Sequence, residues 1–141
     1  MLKKFALLFI VLALAGGCKK RYPDNTWAHF KSPTKRLTRE WTFYSTEFLT
    51  SYSYPFPGDF RGHTLVFLKN GTCTCSAPIP SPEMIYLIDF NGTWEFIDND
   101  SKIKITYKRN PNYSKIWTIS RLENRGLDIY CDSVKYSLYI R

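Results

Sequence analysis

Beyond residue 38 the chain alternates between hydrophobic and polar residues in short runs, and clusters of turn-forming residues separate these runs. Residues 102–108 (K-I-K-I-T-Y-K) are the plainest case, with apolar residues at every second position. A period of two is typical of strands that have one buried face and one exposed face. The pattern predicts eight strands, at about 39–50, 63–69, 72–77, 84–97, 102–108, around 117–119, 127–131 and 136–140.

Short turns join most of these strands. Asn70-Gly71 is a two-residue hairpin signal because both residues tolerate positive φ, and further turns are predicted at 98–100, 109–112, 123–126 and 132–133. Gly92 lies inside the fourth strand, where a glycine indicates a bulge or bend. If Asn91-Gly92 were another hairpin, the chain would have nine strands in an open sheet or a sandwich. The hydrophobic parity continues unbroken across Gly92, however, and favours eight.

An eight-stranded antiparallel meander has two exposed edges unless it closes on itself. Closure into an up-and-down barrel pairs the first strand with the last and removes both edges. The predicted fold class is therefore all-β, an eight-stranded antiparallel up-and-down meander that closes into a small barrel. Such a barrel either fills itself with side chains or holds one small ligand.

The first eighteen residues have a different pattern. Lys3 and Lys4 precede an unbroken apolar run of eleven residues, and small residues then lead to Cys18. This is the order of a secretory signal, and the run is too short to span a hydrocarbon core of roughly 30 Å. The sequence L-A-G-G-C at 14–18 resembles a bacterial lipobox. The resemblance implies cleavage before Cys18 and attachment of a diacylglyceryl group and an acyl chain to that cysteine. The alternative is an ordinary signal peptide, which would leave Cys18 as a free thiol.

These features divide the chain into a lipoprotein signal peptide at 1–17, a lipidated tether at 18–37 and a barrel domain at 38–141. The tether carries two prolines, many charges and no period, although Trp27 and Phe30 are candidates for docking on the domain. Subtracting the two lysines of the signal from the net charge of +8 leaves +6 for the mature chain. Because many basic residues lie beside the anchor, we expect attraction to a lipid surface and no binding to nucleic acid.

Four segments carry a further resemblance: R-L-T-R-E-W-T-F-Y at 36–44, L-V-F-L-K-N-G-T at 65–72, G-T-W-E-F-I-D-N-D-S-K-I-K-I at 92–105 and W-T-I-S-R-L at 117–122. They are similar to a lipocalin-like family of small lipoproteins that is common in Bacteroidota. The resemblance implies a lipocalin-like barrel and leaves the ligand unnamed. Lipocalins often lay a late basic side chain across the first-strand Trp, so we expect Arg141 to lie over Trp41.

The sequence carries little that indicates catalysis. Neither His29 nor His63 has a Ser, Cys or carboxylate at a spacing typical of a catalytic triad. A phosphate-binding Gly-rich loop, an H-E-x-x-H motif and a paired C-x-x-C motif are also missing. Residues 98–100 (D-N-D) are similar to the start of a calcium loop, but the remaining ligands of such a loop are not there. We therefore expect a protein without enzyme activity, cofactor or metal.

Three cysteines follow the anchor. Cys73 and Cys75 are two residues apart on one strand and so share a face, and Cys131 lies on an apolar position of the seventh strand. One interpretation is a disulfide between Cys131 and either Cys73 or Cys75, and an equal one is three buried free thiols. A metal held by the three thiolates is a further alternative, but it lacks a visible fourth ligand.

Alternate loops of a meander fall at opposite ends of the barrel. One end receives the short turns, whereas the other receives the long loops at 51–62 and 77–83. Aromatic and apolar residues in such loops either contact an apolar ligand at the barrel mouth or plug it. The candidates for ligand binding are Tyr52, Tyr54, Phe56, Phe60 and Ile79.

The sequence therefore predicts a lipid-anchored, non-catalytic envelope lipoprotein that binds a small apolar ligand at the barrel mouth. The alternative is a structural or protein-interaction lipoprotein with a side-chain-filled barrel that meets another envelope protein. Lys19-Lys20 follow the anchor, where surface-exported lipoproteins of Bacteroidota often carry acidic residues, so we expect an outer-membrane location facing the periplasm. Asp132-Ser133-Val134 resembles the O-glycosylation site used by Bacteroidota, with Ser133 as the acceptor.

Overall fold

The computed structural model describes residues 22–25, 31–49, 60–76 and 90–141, and the structural statements below concern these residues. Within them, a short helix, α1 (Pro33–Leu37), precedes eight antiparallel strands. The strands are β1 (Glu40–Phe48), β2 (Thr64–Phe67), β3 (Thr72–Cys75), β4 (Phe90–Ile97), β5 (Lys102–Tyr107), β6 (Asn110–Leu122), β7 (Gly126–Cys131) and β8 (Val134–Tyr139).

The strands follow one another in sequence order around a closed barrel, and antiparallel pairing of β1 with β8 closes it. Across this seam Phe43 lies opposite Leu138, and Phe48 lies opposite Val134. Closure leaves no strand with an unpaired edge. The predicted eight-stranded up-and-down barrel is confirmed, and with it the preference for eight strands over nine.

Alternation of side chains between the interior and the outer surface follows the predicted period. In β5, Ile103, Ile105 and Tyr107 are buried, whereas the residues between them are half-buried. The same alternation holds in β8, where Tyr136 and Leu138 point inward. The barrel interior is therefore the hydrophobic core of the protein.

Gly92 lies in a regularly paired stretch of β4, opposite Cys73 on one side and Tyr107 on the other. A Cβ atom at this position would lie 2.4 Å from the carbonyl oxygen of Thr106. Glycine is needed here because the backbone of β5 approaches closely, and the predicted bulge at Gly92 is wrong. The register shifts lie elsewhere, at 43–45 in β1, at 106–107 in β5 and at 119–121 in β6.

The sixth strand is longer than the sequence pattern predicted. We expected a loop at 109–112, but the turn covers only 108–109 and β6 begins at Asn110. Tyr107 pairs with Asn110, whereas Thr106 pairs with Ser114, so the residues between 110 and 114 lie outside the regular ladder. Pro111 is tolerated in this irregular stretch because no ladder hydrogen bond requires its missing N–H group.

The N-terminal residues pack against the barrel end that carries the turns at 68–71, 98–101 and 123–125, which we call the closed end. Tyr22 is fully buried, and its hydroxyl donates a 2.9 Å hydrogen bond to the carbonyl oxygen of Asp100. The Asn25 amide donates to the carbonyl oxygen of Leu122 and accepts from the Leu122 N–H, at 3.3 and 2.8 Å. These residues fall in the segment that we predicted to be a tether, and they pack as part of the barrel.

Helix α1 covers the same end. The Ser32 hydroxyl caps it by accepting a hydrogen bond from the Lys35 N–H at 3.4 Å, and Pro33 follows at a position that suits proline. Leu37 is fully buried, and the buried Arg36 guanidinium donates to the carbonyl oxygen of Leu122. The sequence pattern did not predict this helix, because five residues are too few to show a helical period.

A basic side chain covers the fully buried Trp41, but it is not the one we expected. The guanidinium carbon of Arg39 lies 5.8 Å from the centroid of the Trp41 ring, whereas Arg141 is exposed at the chain end. The expected contact between Arg141 and Trp41 is therefore wrong. Arg39 reaches the ring because its backbone lies at the start of β1, and its guanidinium also donates to the carbonyl oxygens of Lys35 and Asn124.

Candidate functional site

The opposite barrel end, which we call the mouth, carries the turns at 108–109 and 132–133 and the connections from β1 to β2 and from β3 to β4. All five candidate ligand residues belong to these two connections. Tyr52, Tyr54, Phe56 and Ile79 lie outside the described residues, as does the candidate lipidation residue Cys18. Phe60 is the candidate whose position is described.

Phe60 lies inside the barrel rather than on its rim. Its ring centroid is 6.2 Å from that of Phe43 and 5.9 Å from that of Tyr136, and its side chain is buried. A turn holds it there, since the His63 N–H donates to the Phe60 carbonyl oxygen at 3.1 Å and Gly62 has a φ of 88°. Phe60 therefore fills the interior below the mouth.

Four rings form a column across the interior. The Phe43 ring meets the Tyr136 ring edge-on at 5.8 Å, and the Tyr136 ring stacks on Trp117 at 6.2 Å. With Phe60 these residues form what we call the ring column: Phe43, Phe60, Trp117 and Tyr136. Because they come from β1, β6, β8 and the β1–β2 connection, side chains occupy much of the middle of the barrel.

All three described cysteines are buried, and no disulfide joins them to one another. Their arrangement agrees with the interpretation as buried thiols rather than with a disulfide between Cys131 and Cys73 or Cys75. Burial raises the pKa of Cys73 to about 12. Burial also raises the pKa of Cys131 to about 12, although the nearby Lys115 ammonium opposes the shift. These two residues are therefore neutral thiols at physiological pH, a state of low nucleophilicity.

Lys115 points into the barrel from β6, on the same face as Trp117 and Ile119, and its side chain is only 9% exposed. Its ammonium lies 2.7 Å from a carboxylate oxygen of Asp132, which sits in the β7–β8 turn with a φ of 55°. Burial lowers the pKa of Lys115, but Cys131 and the hydrogen bond to Asp132 outweigh burial and hold the pKa above its ordinary value. The lysine charge is therefore paired inside the mouth.

Tyr107 and Trp117 carry interior hydrogen-bond donors that lack an oxygen acceptor among the described residues. The hydroxyl of Tyr107 is buried without a partner, although its ring stacks on Tyr113 at 5.1 Å and meets Phe90 at 4.9 Å. The indole N–H of Trp117 interacts with the weakly accepting Cys131 sulfur and has no other partner. Burial raises the pKa of Tyr107, so its hydroxyl stays protonated. An unmet buried donor costs about 1–3 kcal/mol, which makes these atoms candidates for ligand contacts.

The outer surface of β6, β7, β8 and β1 carries an open cleft of about 470 Å³ near the closed end. The rings of Tyr44 and Tyr139 line it, edge to face at 6.0 Å, and Arg121 lies beside them with a 2.9 Å bond to Asp128. The cleft joins residues from four strands, so the pattern of any one strand does not reveal it. It is separate from the barrel interior.

Two smaller predictions concern modification and metal binding. Ser133 is exposed in the β7–β8 turn, where its carbonyl oxygen accepts a 2.8 Å hydrogen bond from the Leu49 N–H. Glycosylation of Ser133 stays a prediction. In the described ranges, His, Cys, Asp and Glu side chains form no group of three or more that could hold a metal ion. Among the described helices, none has the length and apolar character needed to cross a membrane.

Comparisons with known proteins bear on the fold. No protein-family model and no curated protein matches the chain. Two crystal structures are similar to it. An uncharacterized protein from Bacteroides eggerthii DSM 20697 has a TM-score of 0.51 at 11% identity, over 74% of this chain and 99% of that one. A lipocalin-like protein from Bacteroides uniformis ATCC 8492 has a TM-score of 0.52 at 13% identity, over 75% of this chain and 99% of that one. The expected resemblance is thus confirmed at the level of the fold, and the chain is an eight-stranded lipocalin-like barrel.

Proposed function

We propose that the protein is a lipid-anchored, non-catalytic lipoprotein of the cell envelope whose barrel binds one small, largely apolar molecule at the mouth. The observation that carries the binding part is the buried hydroxyl of Tyr107 in the mouth half of the interior, which has no hydrogen-bond partner among the described residues. The lipocalin-like fold supports it, because an eight-stranded barrel that is not filled by its own side chains is wide enough for one small ligand. The anchor part is supported by the lipobox-like sequence that ends at Cys18.

The charges near the mouth indicate an uncharged ligand. Lys115 is the cation that faces the interior, and Asp132 already neutralises it at 2.7 Å. A ligand carboxylate would have to compete with Asp132 for this ammonium, or bring a second negative charge into a site of low dielectric constant. The Tyr107 hydroxyl, in contrast, needs only a neutral acceptor. We therefore infer a mostly hydrocarbon molecule that carries a carbonyl, ester or ether oxygen.

A structural lipoprotein with a filled barrel is the second candidate function, and the ring column favours it. Phe43, Phe60 and Tyr136 pack within 6.2 Å of one another, centroid to centroid. A barrel filled in this way binds a ligand only if Phe60 and its connection move. In that case the protein acts through its surface, by contacting another envelope protein.

Native mass spectrometry of the protein extracted from its own membrane separates these two functions. A co-purified small molecule supports the binding function, and its mass identifies the compound. The binding function also predicts that a neutral apolar dye binds the purified protein and is displaced by a fatty-acid methyl ester better than by the free acid. A bare polypeptide that binds none of these probes supports the filled barrel.

Tyr107→Phe is the variant that tests the proposed contact. It removes the hydroxyl and keeps the ring that stacks on Tyr113 and Phe90. The affinity for the ester should fall about 5- to 10-fold, as expected for one lost hydrogen bond. Tyr139→Phe, on the outer surface, is the matched control and should leave the affinity unchanged. If the native protein, Tyr107→Phe and Tyr139→Phe bind the ester with equal affinity, the Tyr107 hydroxyl does not contact the ligand.

A further inference from the structure

We propose that the closed end of the barrel rests on anionic lipid headgroups, so that the mouth points away from the membrane. This inference relies on the lipid anchor at Cys18 that belongs to the proposed function. It does not depend on whether the barrel binds a ligand. It assigns a membrane-facing surface to the protein and a direction to the mouth.

The distance along the chain between the anchor and the barrel limits the orientation. Cys18 and Tyr22 are four residues apart in the sequence. A fully extended chain covers at most about 3.6 Å per residue, so their Cα atoms are separated by no more than about 14 Å. The headgroup layer of one leaflet is itself roughly 5–8 Å thick. An acylated Cys18 therefore holds Tyr22 close to the membrane surface.

Tyr22 is firmly attached to the closed end. Its side chain is fully buried, and its hydroxyl donates to the carbonyl oxygen of Asp100 in the β4–β5 turn. The next residues continue the attachment, since the Asp24 N–H donates to the Ser120 carbonyl oxygen at 2.9 Å and Asn25 pairs with the backbone of Leu122. The anchor therefore pulls on the closed end itself and not on a loose linker.

The closed end also presents basic residues to the surface. Lys31, Lys35 and Arg125 are exposed, and Arg39 lies between them with bonds to the carbonyl oxygens of Lys35 and Asn124. Among the described carboxylates none lies within ion-pair distance of these four residues, which we call the basic patch. The described carboxylates of the closed end belong to Asp24, Glu40, Asp98, Asp100 and Glu123. Seven basic residues lie at the same end, namely the four of the basic patch with Arg36, Lys69 and Lys102, which leaves an excess of two positive charges.

Charge complementarity selects the partner of the basic patch. A bilayer with anionic lipids attracts Lys and Arg within about one Debye length, roughly 8 Å at physiological ionic strength. The tether length brings the basic patch into this range. The mouth then lies about 20–25 Å further out, as estimated from nine residues of a strand tilted by about 40°.

Nitroxide labels on the mature, lipidated protein test the orientation. We would place one label at Thr34→Cys in α1 and another at Asn112→Cys beside the mouth, both exposed positions. The native Cys73, Cys75 and Cys131 are buried, so the label reacts with the introduced residue. The vesicles contain phosphatidylethanolamine, phosphatidylglycerol and a lipid with a nickel-chelating headgroup. Relaxation by nickel should be strong at residue 34 and weak at residue 112.

The two ways of failing are distinguishable. If the label at residue 112 relaxes as strongly as the label at residue 34, the barrel lies on its side or upside down and the orientation is overturned. If intact mass shows no lipid on Cys18, the anchor and the orientation both fail, whereas ligand binding is unaffected.

A second measurement tests the attraction of the basic patch to the membrane in the absence of the covalent lipid anchor. The mature chain with Cys18→Ser is mixed with phosphatidylglycerol-containing vesicles and sedimented. Lys35→Gln combined with Arg125→Gln should lower its partition coefficient roughly 25-fold, since each basic residue near the surface contributes about a factor of five. The matched control, Lys108→Gln with Arg109→Gln at the mouth, should change it little. Equal losses in both double variants would mean unspecific charge attraction and would overturn the headgroup contact.

Discussion

The indole N–H of Trp41 donates a 2.9 Å hydrogen bond to the backbone carbonyl oxygen of Leu37. Leu37 is the last residue of α1, where helical carbonyl groups have no partner within the helix. Both side chains are fully buried. The bond therefore joins the helix over the closed end to the first strand of the barrel.

Two substitutions of Trp41 should distinguish the contribution of the ring to stability from that of this hydrogen bond. Trp41→Ala removes a large buried ring and should lower the free energy of unfolding by about 3–5 kcal/mol. Trp41→Phe keeps a ring but removes one of the two hydrogen bonds that the Leu37 carbonyl oxygen accepts, since the Arg39 N–H also donates to it at 2.8 Å. This variant should cost about 0.5–1.5 kcal/mol beyond the loss of ring size. Denaturant titrations of the mature chain measure both values. A Phe variant as stable as the native protein would mean that the hydrogen bond contributes nothing.

Arg39 should be energetically coupled to Trp41, and Arg141 should not. A double-mutant cycle of Arg39→Ala and Trp41→Leu should give a coupling free energy of about 0.5–1 kcal/mol, as expected for a guanidinium over an indole ring near the surface. The same cycle with Arg141→Ala is the control and should give zero. A larger coupling for Arg141 would contradict the geometry, in which Arg39 lies 5.8 Å from the ring centroid.

The barrel was predictable from the sequence because its interior and outer surface impose a period of two on several strands, most plainly on β5 and β8. The inward direction of Lys115 was not predicted, although Lys115, Trp117 and Ile119 share a face of β6. Its partner was not predictable. Asp132 reaches Lys115 only because the β7–β8 turn gives Asp132 a positive φ, which places a rim carboxylate over the interior.

The packing at the closed end was also missed, and for a different reason. The segment around Tyr22 and Asn25 and the five-residue helix α1 are too short to show a sequence period. Tyr22 and Asn25 also contact Asp100 and Leu122, which lie far away in the sequence. The basic partner of Trp41 was missed as well, because the family resemblance suggested Arg141 at the far end of the chain. The basic residue that covers the ring is two positions away, at Arg39.

Gly92→Ala should be strongly destabilising. Its Cβ atom would lie 2.4 Å from the Thr106 carbonyl oxygen, and a backbone neighbour in a paired strand cannot move aside easily. We expect a loss of about 3 kcal/mol or more, with β4 and β5 separating locally. Gly62→Ala is the comparison, because Gly62 has a φ of 88° and nothing within 4 Å of its missing Cβ. It should lose only about 1 kcal/mol from backbone strain, and similar losses in thermal unfolding would contradict the close approach.

Alkaline pH should destabilise the protein through its buried thiols. Burial raises the pKa of Cys73 and of Cys131 to about 12. An unfolded cysteine ionises near pH 8.5, so these residues contribute stability that is fully present below about pH 8.5 and is lost as the pH rises towards 12. Between about pH 8 and 9.5 the free energy of unfolding should fall by about 2 kcal/mol. In the Cys73→Ala/Cys131→Ala variant the fall should be smaller, and an equally steep fall would assign it to other groups.

Removing the hydroxyl of Tyr22 and removing that of Tyr107 should have different effects on the free energy of unfolding. Tyr22 and Tyr107 are both buried, but the Tyr22 hydroxyl donates to the Asp100 carbonyl oxygen at 2.9 Å, whereas the Tyr107 hydroxyl has no partner within the described part of the chain. Tyr22→Phe should therefore lower the free energy of unfolding by about 1–2 kcal/mol. Tyr107→Phe removes an unmet donor and should leave it unchanged or raise it by about 1 kcal/mol.

The measurement is denaturant unfolding of the ligand-free mature chain. A native residue that lowers stability in the empty protein is expected where its polar group serves a ligand, because the ligand supplies the missing acceptor. The stability gain of Tyr107→Phe should therefore disappear when a neutral ester is bound, since only native Tyr107 gains a hydrogen bond on binding. If Tyr107→Phe instead destabilises the empty protein as much as Tyr22→Phe does, its hydroxyl already has an acceptor in solution. The mouth would then lack the unmet donor on which an acceptor-bearing ligand depends.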